Sequence, residues 1–302
     1  MHPSTVTQTP LRHAFTVDVE DYYQVSAFAK SVPFADWDTF PSRVVENTRR
    51  VMELLARHSV QGTFFILGWV AERHPELVRE IQSAGHEIGC HSYAHQIVYE
   101  LSPEEFRADL RRGRDILAEI TGQPIVSYRA PSFSITDRSL WALDILAEEG
   151  FTIDASIYPI RHDRYGIPRA DLLPHRIQTE AGVLWEFPGT CCSWGRFKLP
   201  VGGGGYLRLF PRWVTEAGLR SIEHRRRRAF GVYVHPWELD PEQPRLPAKM
   251  LTRVRHYRNL HTTEQRLERL LERFQFTTVS EVLADTAIAS VPVYSTKDLY
   301  RG

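Results

Sequence analysis

Only three cysteines occur among the 302 residues, Cys90, Cys191 and Cys192. They cannot all pair within the chain, and adjacent Cys191 and Cys192 rarely bond each other, so no disulfide framework is expected. A vicinal pair can take a soft metal, but without a second cluster nearby two small, partly buried hydrophobes is the plainer reading. No stretch approaches the roughly 18 consecutive apolar residues of a membrane span, so no integral membrane segment is expected. Residues 1–12 lack the apolar core of a secretory signal and read as a disordered lead-in. Neither sign of charge is in excess: 37 basic residues balance 37 acidic ones, which removes any global electrostatic reason to expect nucleic acid or an anionic membrane as main partner. The run Arg225 to Arg228 is the exception and reads as a solvated helix end. Gly202 to Gly205 lack the Lys-Ser/Thr of a phosphate loop, so a flexible loop is expected there. No internal repeat of fixed period is present. The expectation is a soluble, cytoplasmic protein, with a homo-oligomer left open.

What is present is an ordinary globular composition, 42% hydrophobic and 25% charged, enough for one elaborated domain or two ordinary ones. From His13 to about Ser156, β-branched runs alternate with helical periodicity, the pattern of βαβ units feeding a parallel sheet. Strands are predicted over 14–19, 62–67, 86–89, 126–128 and 151–155. Helices are predicted from Pro41, over about 70–84, from Ser102 to about 120, and from Thr136 to Gly150. Ser102-Pro103-Glu104-Glu105 forms a capping box with proline at the first helical position. Beyond about 158 the rhythm loosens, leaving strands near 183–187 and 230–234 and a last helix over about 247–274. The fold class is α/β, with a barrel of parallel strands.

Each polar cluster of interest falls just after a predicted strand: Asp18, Glu20 and Asp21, then His91 and His95, then Arg129, Asp154 and His235. In a parallel barrel these positions converge on the C-terminal face, where loops meet over a rigid scaffold. His91 and His95 are four residues apart, so a helical turn would set both on one side, although such pairs are mostly unrelated when taken alone. A carboxylate from the cluster at 18–21 can complete a two-nitrogen, one-oxygen metal site with open positions. The plain alternative for that cluster is a turn or helix cap. His235, followed by Pro236 and Trp237, suits a general acid or a structural histidine. Arg129 suits a partner for a site carboxylate or a structural salt bridge.

In this order, Thr16-Val17-Asp18-Val19-Glu20, Gly85 to His95, Arg129-Ala130-Pro131 and Val234-His235-Pro236 resemble the motifs of the polysaccharide deacetylases of carbohydrate esterase family 4. The resemblance implies a distorted, incomplete (β/α) barrel over residues 13–240, with 241–302 as a helical extension packed on it. It implies one divalent ion, zinc by default with cobalt, nickel or iron also fitting, on Glu20, His91 and His95. Asp18 would be the general base, His235 the general acid and Arg129 the tuner of Asp18. Asp154 would hold His235, and a backbone N–H near Ser132 would stabilise the oxyanion. The commonest family form has adjacent aspartates, whereas Val19 stands here in the second place, so Glu20 inherits the ligand role with Asp21 as the other candidate. Tyr22, Tyr23, Trp194, Tyr206 and Trp237 are candidates to stack on sugar rings. The Asp-Val-Glu-Asp signature and Val232 to Glu238 look like the subgroup associated with exopolysaccharide and exosortase gene clusters. The expected substrate is therefore an N-acetylated oligosaccharide or polysaccharide, or its lipid-linked precursor. A small-amide hydrolase of the same superfamily, or an inactive carbohydrate-binding subunit, are the competing readings.

Overall fold

The computed structural model describes residues 11–194, 197–288 and 291–296, without the side chains of Trp194 and Arg226. The lead-in therefore lies almost wholly outside the described residues. Four strand-to-helix steps lay down the first half. β1 (Arg12–Val19) precedes α1 (Val44–Arg57), and β2 (Thr63–Ile66) precedes α2 (Gly68–Arg73) and α3 (Pro75–Ser83). β3 (Glu87–Cys90) precedes α4 (Pro103–Thr121), β4 (Ser127–Tyr128) precedes α5 (Trp141–Glu148), and β5 (Ile153–Asp154) follows. Every residue of β2 and all but the first of β1 are buried, as expected of parallel strands covered on both faces.

The helix expected over 70–84 is two helices. Pro75 cannot donate a backbone hydrogen bond and pushes His74 out of helical geometry (φ −131°, ψ 56°), so the chain restarts there. At α4 the capping box is present as read: Glu105 N–H donates to Ser102 Oγ (3.2 Å), and Ser102 N–H donates to Glu105 Oε2 (2.8 Å).

The second half contains β6 (His175–Gln178), β7 (Val183–Glu186), β8 (Cys191–Trp194), β9 (Phe197–Pro200), α6 (Gly204–Leu209), α7 (Arg212–Arg226) and β10 (Gly231–Val234). α8 (Met250–Tyr257), α9 (Thr263–Arg273), β11 (Gln275–Thr277), α10 (Val279–Ala284) and β12 (Val293–Ser295) complete it. The main sheet runs β10-β1-β2-β3-β4-β5-β7-β6-β12, with β11 also on β1, and only the β6–β7 pair is antiparallel. The segment from residue 241 onward is thus more than a helical extension, since β11 and β12 join the same sheet. The helix expected over 247–274 is interrupted at Asn259, which is left-handed (φ 59°). Its side-chain amide donates to the Arg208 carbonyl at 2.8 Å, fixing that bend.

Among the described residues no ladder joins β7 to β10, so the barrel does not close by strand pairing. The seam is closed by other means. Thr190 Oγ1 donates to the Gly231 carbonyl (2.7 Å) and accepts from Gly231 N–H (2.9 Å), and Tyr233 N–H donates to the Gly202 carbonyl (2.8 Å). The tetraglycine is therefore packed backbone rather than a flexible loop. A Cβ at Gly203 (φ 149°) would lie 2.0 Å from the Tyr233 carbonyl oxygen, which only glycine avoids. Gly203→Ala is accordingly expected to destabilise the protein by about 2–4 kcal/mol, read as a lowered urea midpoint with unchanged slope.

Candidate active site

The strand order places the C-terminal ends of β10, β1, β2, β3 and β4 side by side, so residues separated by more than two hundred positions meet at one end of the sheet. Glu20 lies just beyond β1, His91 and His95 beyond β3, Arg129 beyond β4 and His235 beyond β10. Glu20, His91 and His95 are buried and can each present one ligand atom, all within 4.8 Å of one another.

The two imidazoles are not brought together by a helical turn. Residues 91–97 form a loop in which Ser92 (φ 65°) and His95 (φ 52°) adopt left-handed backbone. Asp109 of α4 holds that loop by accepting from Tyr93 N–H (2.9 Å) and Ala94 N–H (3.1 Å). The left-handed turn at His95 instead brings the two rings edge to face, 5.4 Å apart.

Several features fit this trio to a divalent cation. His91 Nδ1 donates to the Arg129 carbonyl at 2.7 Å, which fixes the tautomer and leaves Nε2 for the site. Glu20 Oε2 lies 2.7 Å from His95 Nε2, yet this buried oxygen accepts no hydrogen bond of good geometry. A buried carboxylate oxygen without a partner is costly unless a cation takes its place. Burial would raise the Glu20 pKa, but His95, His235 and His91 outweigh it and hold the carboxylate well below its usual range. Burial pushes His91 down to about 4, so it is neutral and able to ligate at neutral pH. Between the two carboxylate candidates, Asp21 is committed elsewhere. Its Oδ2 accepts from Ser42 Oγ (2.7 Å), Arg43 N–H (2.8 Å) and Val44 N–H (3.2 Å), capping α1.

Asp18 is held by Arg129, whose Nη1 donates to Asp18 Oδ1 at 2.7 Å and to Thr16 Oγ1 at 2.8 Å. Nε2 of His235 lies 3.8 Å from Asp18 Oδ2 and 3.6 Å from Glu20 Oε1. The orienting partner of His235 is Glu238 and not Asp154. His235 Nδ1 donates to Glu238 Oε1 at 2.7 Å, and Glu238 Oε2 in turn accepts from Arg208 Nε at 2.5 Å. Both members of the Glu238–Arg208 pair are buried, and the remaining guanidinium donors cap the last carbonyls of α8 and its exit, those of Arg255, His256 and Arg258. Burial disfavours the charged imidazole, but Glu20, Glu238 and Asp18 together raise the His235 pKa to about 9.

Asp154 sits deeper in the wall, accepting from Ser156 and facing Glu186, its register partner on β7. Burial raises the Asp154 pKa to about 6 and, with Asp154 beside it, raises that of Glu186 further. Groups whose folded pKa is raised stabilise the fold at low pH and lose that contribution as pH climbs through the folded value. Stability is therefore expected to fall from about pH 4 through about pH 6 as Asp154 titrates, and further as Glu186 loses its proton. Glu186→Gln, whose amide can donate to Asp154 while still accepting from Ile157 N–H, is expected to flatten that fall in denaturant melts at pH 5 and pH 8.

Three stacking candidates are unavailable to a sugar. Tyr22 is fully buried against Tyr23, itself buried. Trp237 is buried between His235 and His256, and its indole N–H donates to Glu20 Oε1 at 3.1 Å, so it orients the carboxylate. Tyr206 is half-buried and hydrogen-bonded to Tyr165, and the Trp194 side chain lies outside the described residues. Ser132 is half-buried with left-handed backbone (φ 53°), its Oγ against that of Ser26 at 2.5 Å. The neighbouring N–H groups of Phe133 and Ser134 are taken by the Ala130 and Pro131 carbonyls. A cavity of about 620 Å³ lies at the opposite strand ends, lined by Arg12, Gln61, His86 and Phe276, and includes none of these residues.

Fold and site together define an α/β protein with a buried imidazole–carboxylate centre at the C-terminal ends of parallel strands. Residues 31–152 match the polysaccharide deacetylase family, and residues 155–284 match a domain of unknown function, DUF3473. The resemblance to the polysaccharide deacetylases that the sequence motifs carry is thus found over residues 31–152. His91, His95 and Arg129 fall within that match, Asp18 and Glu20 precede it, and His235, Glu238 and Arg208 belong to the second. One relative is a peptidoglycan-N-acetylglucosamine deacetylase of Bacillus cereus, 33% identical over 101 residues, 33% of this chain and 37% of that protein. Another is a chitooligosaccharide deacetylase of Azorhizobium caulinodans, 34% identical over 85 residues, 28% of this chain and 40% of that protein. The alignments therefore span well under half the length of these relatives. A crystal structure of a candidate polysaccharide deacetylase from Mycobacterium smegmatis shares the fold, with a TM-score of 0.61 and 20% identity over 95% of this chain and 97% of that one.

Proposed function

We propose that this chain hydrolyses N-acetyl groups from an amino-sugar oligomer or polymer, releasing acetate, and that its natural substrate is an exopolysaccharide or its lipid-linked precursor. The observation that carries the reading is the placement of Asp18 Oδ2 and His235 Nε2, 3.8 Å apart, beside the Glu20–His91–His95 trio. A base, an acid and a cation site at one point are what amide hydrolysis requires, because water is a poor nucleophile and an amine a poor leaving group.

Glu20, His91 and His95 would hold one divalent ion, zinc being the usual choice for two imidazoles and a carboxylate, and that ion would supply Lewis-acid polarisation of the amide carbonyl. Asp18, aimed by Arg129, takes a proton from the attacking water. The N–H of Ser132, in the loop after β4, would meet the developing oxyanion. His235, charged at neutral pH and steadied by Glu238, delivers a proton to the departing amine. Trp237 and the Arg129 carbonyl keep Glu20 and His91 in place throughout.

The test is acetate release from N-acetylglucosamine oligomers by zinc-loaded protein, with Glu238→Gln alongside. The variant is expected to lose about a hundredfold in kcat on the amide with little change in KM. Hydrolysis of p-nitrophenyl acetate, whose leaving group departs without a proton, should stay within about threefold. Equal losses on both substrates would remove His235 from the acid role, and no acetate release by the metal-bound wild type would remove the deacetylase reading.

A further inference from the structure

α8 is built the wrong way round for a helix that merely covers a core. At about 100° per residue, Met250, Val254 and Leu251 form one continuous stripe, opposite the inward-facing His256. These three are 75%, 38% and 60% exposed, whereas His256 is buried against Trp237 (4.1 Å) and Phe28 (4.8 Å). The apolar face thus points to solvent and the polar residue points in. Exposed Arg253 borders the stripe on one side and exposed Arg255 on the other, with Lys249 at its start.

The surrounding sequence is as one-sided as the helix. Between Glu242 and Glu264 there is no acidic residue, while Arg245, Lys249, Arg253, Arg255 and Arg258 all occur and all are exposed. In a chain with no net charge this is a local asymmetry rather than a reflection of composition. A second copy of the chain is a poor occupant, because a two-fold contact across this stripe would set two such cationic clusters against each other. An apolar stripe flanked by arginines matches a different surface: the side chains of the stripe enter the acyl boundary while the cations reach anionic headgroups.

We infer that α8 is a docking surface for an anionic lipid bilayer. Through the His256–Trp237 stack the helix is the outer neighbour of the residue that holds Glu20, so docking sets the active site at the membrane surface. This is peripheral binding, since no helix among the described residues is long and apolar enough to cross a membrane. Docking supplies proximity to a membrane-borne substrate and is not needed for a soluble one.

The experiment is co-sedimentation of the full chain with vesicles of phosphatidylcholine alone and of equal parts phosphatidylcholine and phosphatidylglycerol. Binding is expected only to the second, and to weaken as salt is raised. Met250→Ser/Leu251→Ser and Lys249→Glu/Arg253→Glu should each weaken that binding by at least about tenfold. Turnover of a soluble N-acetylated oligosaccharide by either variant should remain within about twofold of wild type, because none of the four residues touches the site. The inference is overturned if the wild type ignores anionic vesicles, if the variants bind as well as wild type, or if light scattering shows a dimer that only the Met250/Leu251 variant dissolves. Because the readout is sedimentation, a failed activity assay would refute the proposed reaction while leaving this result standing.

Discussion

Asp18→Asn is expected to lower acetate release by about a thousandfold, within the range of about 10²–10⁴ that a positioned general base contributes. The asparagine has the same shape but cannot accept a proton from water at neutral pH. Its carbonyl can still accept from Arg129, so the packing of the wall is retained. The substitution does leave the buried Arg129 guanidinium without its counter-charge, and a loss of stability of about 2–4 kcal/mol is expected beside the catalytic loss. The two effects separate on measurement. Bound metal per folded chain should remain at the wild-type value, while kcat collapses at a KM close to wild type. A variant that keeps a tenth or more of the wild-type kcat would exclude Asp18 as the base.

His95→Ala is expected to abolish stoichiometric metal and, with it, activity. Removing a residue that only supports a ligand already costs about 10–100-fold in affinity, so removing one of three protein ligands should cost more than about a hundredfold. Metal analysis after dialysis, followed by activity across a metal titration, measures this directly. Recovery of activity at high metal concentration would agree with a weakened site. Full metal retention after dialysis would place the ion elsewhere.

The residues of the site were legible wherever chemistry and local pattern coincide. His91 and His95 follow an apolar strand and a glycine turn, Asp18 and Glu20 end the first strand, and His235 ends another, and each of these lies near the C-terminal end of a strand in the sheet. Asp154 was assigned a partner it does not have, because a strand-end carboxylate looks the same whether it faces the site or the neighbouring strand. Its actual neighbour, Glu186, is fixed by the β5–β7 register. Glu238 left a faint signal, three residues after His235 and so one short turn away. Arg208 left none: it meets Glu238 only because the tetraglycine lets α6 dock against β10.

Strand and helix identity, capping at Ser102, and the grouping of polar residues after strands were determined by the sequence itself, because each depends on contacts within a few positions along the chain. The break at Asn259, the conversion of a glycine run into a seam, and the choice of Glu20 over Asp21 were decided only in the tertiary structure. So was the transfer of His235 to Glu238. These outcomes depend on which distant backbone or side chain arrives at each position, and that is set by sheet order and packing rather than by any local pattern.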